Sequence, residues 1–170
     1  VMNQGTATAQ RALEVTLVRQ EIDGQVEAIR YLHQQYSDAV ANGSSNADVT
    51  QWNAMVTHIT QNATSFGSND EGTCQPIPSQ AFILNARTAT VVGDANKPKS
   101  SDSPNSTPYS QVVYDPETNV AVSAYGIWIE AVKKDAAQNF IDFHVRTCWY
   151  GPGDAPALTL GTIVRLYVPN

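Results

Sequence analysis

The chain has 170 residues, 42% hydrophobic and only 15% charged, enough for one domain with a real core. Its formal net charge is −6, and its longest basic run is Lys133-Lys134. It therefore cannot readily supply the counterion release that drives nucleic-acid binding, and it gains nothing at an anionic membrane surface.

No apolar run approaches the roughly 20 residues needed to span a bilayer, and no signal peptide is visible. The first residue is Val1 rather than Met, so a processed product is expected, its targeting segment lying upstream. From Thr6 to about Ala41, Leu13, Leu17, Val18, Ile22, Val26, Ile29, Leu32 and Tyr36 recur at steps of three or four. That spacing predicts one helix about 50 Å long, against about 30 Å for a small domain. Its first turns, rich in Ala, Thr and Gln, offer little to anchor in a core, so the helix is expected to project.

Asn42-Gly43 is a stop signal, and Asp48 is expected to cap a second helix through Trp52, Met55, Val56 and Ile59, ending near Asn62. After Cys74 the pattern changes. Gln80–Asn85, Thr88–Val92, Gln111–Tyr114 and Val120–Ala124 are short strand candidates, separated by the proline-rich loop Asp94–Tyr109. Tyr125–Lys134 and Asn139–Tyr150 alternate around a five-residue connection, as a β-hairpin does, and Leu158–Val168 makes a last strand. The fold class is α+β: a long N-terminal helix (1–42), a second helix and loop (43–72), and a mainly antiparallel β-rich region (73–170), all in one domain.

Chemistry-bearing constellations are scarce. Cys74 and Cys148 lack zinc or C-x-x-C spacing; they are either two buried thiols or one disulfide, and the even count in a polar chain favours the disulfide. His33, His58 and His144 have no metal-ligand spacing, and no nucleophile elbow or nucleotide-binding glycine motif is present. Asp70-Glu71 reads as a solvated turn, and Lys97 and Lys99 argue against a cation site in the long loop. Tyr114, Tyr125, Trp128, Trp149 and Tyr150 fall on expected strands, where cross-strand packing is the simpler reading and a ligand platform the alternative. Neither catalysis nor a metal or cofactor is expected.

The segments ATAQRALEVTLVRQEIDGQVEAIRYLH and TCWYGPGDAPALTLGTIVRLYVP resemble pilin-like proteins of very small episymbiotic bacteria, and the helix-then-sheet order resembles the type IV pilin superfamily. The resemblance implies a non-enzymatic structural or adhesive filament subunit, serving adhesion, motility, DNA uptake or secretion. It would be anchored in the inner membrane by an upstream apolar half-helix before assembly, then displayed on the cell surface. Its partners would be other pilin subunits, the assembly machinery and a host-cell surface. Leu13, Leu17, Val18, Ile22, Val26 and Ile29 would carry subunit packing; Lys97, Lys99, Tyr109, Trp149 and Tyr150 would be available for surface contact. The alternative is a secreted or surface-anchored module that binds a ligand or glycan.

Overall fold

The computed structural model describes residues 2–65, 72–74, 76–93, 97–99, 107–153 and 156–169. Helix α1 spans Met2–Asn42, about 60 Å at 1.5 Å per residue. Its buried positions are Glu14, Val18, Ile22, Gln25, Val26, Ala28, Ile29, Leu32 and Ala39, a single stripe at helical spacing. The helix stops where Gly43 takes φ 62°. Ser44 N–H then reaches Ala39 O at 2.9 Å and Gly43 N–H reaches Val40 O at 3.4 Å, satisfying carbonyls that have no intrahelical partner.

Helix α2 is Ala47–Val56, and its cap is Asn46 rather than Asp48: Asn46 Oδ1 accepts from Val49 N–H at 3.0 Å. Asp48 sits in the first turn, where its carboxylate accepts from Tyr31 O–H at 3.0 Å. The helix is also shorter than the spacing of its apolar residues suggests. Thr57, His58 and Ile59 bond back to Ala54, Met55 and Val56, tightening the chain to a three-residue step that closes the helix. Trp52 stacks on Tyr36, centroids 5.3 Å apart, and meets Phe143 edge-on at 5.9 Å, so α2 fastens α1 to the sheet.

The strands are β1 (Leu84–Asn85), β2 (Thr90–Val91), β3 (Pro98–Lys99), β4 (Gln111–Tyr114), β5 (Ala121–Tyr125), β6 (Ile127–Val132), β7 (Phe140–Trp149) and β8 (Leu158–Tyr167). They form three small sheets, β1-β2, β3-β5-β4 and β6-β7-β8, rather than one. All pairs are antiparallel except β3 with β5, so the expected loop 94–109 carries a two-residue parallel strand; residues 94–96 and 100–106 lie outside the described set. The expected strand Gln80–Asn85 shrinks because Phe82 makes a lone bridge to Ile129 and Ile83 O accepts from Val92 N–H.

In the main sheet Ile141, Phe143, Val145 and Trp149 face α1 and join Val18, Ile22, Val26, Ile29 and Leu32 in one core. The intervening side chains of β7 lie on the opposite face. The chain passes from β5 to β6 through Gly126 alone, at φ 61°. A Cβ there would lie 2.2 Å from Cys148 O, so only glycine permits the crossing between sheets. Cys74 and Cys148 are bonded, Cα atoms 5.6 Å apart, over a separation of 74 residues. They pack with Ala81 and Trp128 on the face away from α1. Closing so long a loop stabilises by about 4 kcal/mol in the chain-entropy description.

Candidate functional site

The feature that the domain's own core does not require is the start of α1. Residues 4–13 expose every side chain except Ala7 and Arg11, which are half-buried. The helix joins the body at a polar junction. Glu14, 4% exposed, accepts from Trp149 Nε1–H at 3.1 Å and from Gln10 at 3.3 Å, while Arg11 Nη2 donates to Pro152 O at 2.9 Å. Beyond this point Leu13 is 58% exposed, and Leu17, one turn later, is half-buried.

The six residues expected to carry subunit packing therefore divide. Val18, Ile22, Val26 and Ile29 are buried against the chain's own sheet, because the stripe that makes the helix amphipathic is the one the sheet covers. They are not free surface, whereas Leu13 is exposed and Leu17 is half-buried. Trp149 is likewise corrected as a surface residue. It is 1% exposed, since it shares the helix-facing side of β7 with Ile141, Phe143 and Val145. Glu14 and Arg11, which make the junction, carry no motif; the one available signal was a carboxylate at a helical step before Val18.

The remaining expected contact residues differ in exposure and in what they bond. Lys97 and Lys99 are exposed, and Lys99 Nζ lies 5.8 Å from the centre of the Tyr125 ring. Tyr109 is half-buried against the main core, and the Tyr150 hydroxyl accepts from Cys74 N–H at 3.0 Å. Asp70 and Glu71 lie outside the described residues.

A second polar group sits on the sheet face opposite α1. Glu130, 5% exposed, accepts from Trp128 Nε1–H at 2.9 Å, Arg146 Nη1 at 3.1 Å and Thr64 N–H at 2.8 Å. Arg146 also donates to Thr64 O. Both carboxylate oxygens are engaged, so the group clamps the segment after α2 onto the sheet and leaves no lone oxygen aimed at a substrate. Beside it, burial and then the Arg146 charge push His144 below the usual imidazole range, against smaller opposing pulls from Glu130 and Asp142. His33 bonds Tyr167 O, and His58 stacks on Phe82 with centroids 4.9 Å apart.

Among the described residues no group of three or more His, Cys, Asp or Glu could hold a metal ion, and no helix is long and apolar enough to cross a membrane. Comparison with protein-family models, with curated proteins and with solved structures finds no match to this chain.

Proposed function

We propose that this chain is a non-enzymatic subunit of a type IV pilus or related filament, of the minor-pilin kind, and that α1 is its assembly spine. One observation carries the reading: a 41-residue helix first meets the body at Arg11 and Glu14, and the turns before them stand clear of it, with Leu13 also exposed. A single domain gains nothing from such an overhang; a helical filament core uses it to bury one subunit's spine against the next. The partners are then neighbouring subunits and the assembly machinery. The subunit waits in the inner membrane through an apolar continuation of α1 and is displayed at the cell surface after assembly. The Cys74–Cys148 bond fits an oxidising compartment. Trp149 is buried, which removes one of the aromatic residues that the ligand-binding alternative would use.

The test is cross-linking of filaments sheared from the native cell. With Leu13→Cys, a short thiol cross-linker should give a ladder of multimers, and Lys133→Cys, placed after the last residue of β6, should not. Absence of the chain from the sheared fraction would overturn the proposal.

A further inference from the structure

The two edges of the main sheet are treated differently. The β6 edge is closed by the chain itself: Phe82 and Ile129 exchange both backbone bonds, at 3.1 and 2.8 Å, and Thr60 bonds Ala131 and Lys133 at 2.9 Å each. The β8 edge is not. Val168 N–H donates to Asn139 O at 2.8 Å, and the register pairs Phe140 with Tyr167 through to Trp149 with Leu158. Bonded and non-bonded pairs alternate in an antiparallel ladder, so the N–H and C=O groups of Thr159, Gly161, Ile163 and Arg165 point away from β7. They have no partner among the described residues. One turn further on, His33 Nε2–H closes the row by donating to Tyr167 O at 2.7 Å.

This open row borders a groove of about 600 Å³ between α1 and β8, with Ile22, Val26, Leu160 and Val164 among its lining. Strand β8 has neither proline nor lysine, and its ten-residue register runs without a bulge; its one charged side chain, Arg165, is already paired with Asp142 of β7 at 2.8 Å. On the other face Ile163 is 60% exposed.

We infer that β8 accepts an extended segment of another polypeptide as a fourth strand of the sheet. The unpaired groups specify a backbone, because only a strand offers acceptors and donors at that repeat. About seven residues, roughly 23 Å, lie opposite Thr159–Arg165. Their alternate side chains enter the groove against Ile22 and Val26 and are apolar and β-branched. The rim selects no net charge, since Arg19 and Arg30 offset Asp23 and Glu27, and Arg30 already pairs with Glu27 at 3.3 Å. A second copy pairing through its own β8 is disfavoured by charge. Helix α1 runs beside β8 from Arg11 at Pro152 to His33 at Tyr167, so antiparallel pairing about Thr162 would set Arg19 near the copy's Arg30 and Asp23 near its Glu27. The inference does not depend on the filament reading.

The probe is acetyl-Thr-Val-Thr-Val-Thr-Val-Thr-amide, titrated against the whole chain and followed by amide hydrogen exchange. Protection should rise at least about tenfold at Gly161, Ile163 and Arg165 and stay unchanged at Leu160, Thr162 and Val164. Ile163→Pro removes an outward N–H that makes no bond in the free chain, and should weaken binding about tenfold. If that variant fails to fold, a peptide N-methylated at alternate residues decides, and should not bind. The inference is overturned by no binding, by protection that does not alternate, or by binding indifferent to N-methylation. Alternating protection that grows with protein concentration alone would replace the strand donor by a second copy.

Discussion

Residues 14–39 and 4–13 of α1 belong to one helix and are held by different means. The first stretch owes its conformation to tertiary packing, with Val18, Ile29 and Leu32 fully buried against the sheet. The second mixes good helix formers with Gly5, Thr6 and Thr8 and has almost no neighbours. Isolated helices of this length are marginal in water, so its order derives from being continuous with a packed helix. The contrast shows where the domain ends within an unbroken element: at Glu14 and Trp149.

The largest effect that tests the contrast is truncation in the packed stretch. Ile29→Ala should cost about 2–5 kcal/mol in urea unfolding, while Leu13→Ala should stay within about 0.5 kcal/mol. Equal costs would mean that the overhang is packed after all. Next comes the junction. Glu14→Ala leaves Trp149 Nε1–H buried without its acceptor and should cost about 1–3 kcal/mol. The cost should fall sharply in a Trp149→Phe background, which has no such donor; an unchanged cost would assign Glu14's role to other contacts.

The smallest effect is a pH dependence within the packed stretch. Burial raises the Glu21 carboxyl above its ordinary range, opposed by its bond from Val112 N–H and then by Arg87. A raised carboxyl favours the folded state fully below its unfolded pKa, and that contribution is lost as pH rises through the folded value. Glu21→Gln keeps an acceptor and has no charge, so its stability relative to the native chain should improve from about pH 4 to about pH 7. Urea midpoints that move in parallel across that range would show that Glu21 ionises without cost.

Helix α1, its stop and its buried stripe were legible because a three-to-four-residue period over many turns has one explanation. The strands of the main sheet were legible within two or three residues for the same reason, at a period of two. The period also carried information left unused: Ile141, Phe143, Val145, Thr147 and Trp149 occupy alternate positions, which places Trp149 inside. Where packing rather than pattern decides, the sequence was silent. Strand β3 is two residues long and exists through its partner β5, and β1 is cut short because Phe82 serves β6 instead. Asn46 capped α2 ahead of Asp48, two residues of similar chemistry that only the backbone geometry separates. Glu14 to Trp149, Arg11 to Pro152 and Glu130 to Arg146 and Thr64 are contacts distant in sequence, and no local spacing encodes those.

The Cys74–Cys148 bond has a mechanical side. Helix α1 precedes the covalent ring and β8 follows it, so a pull along the chain loads the two elements while the residues between the cysteines, a separation of 74, cannot pay out as slack. Traction on α1 would be resisted first by its side chains seated over β7, which is itself tethered at Cys148. The staple thus sets a hard limit on how far the body can lengthen, and leaves the spine's grip on the sheet as the part that yields.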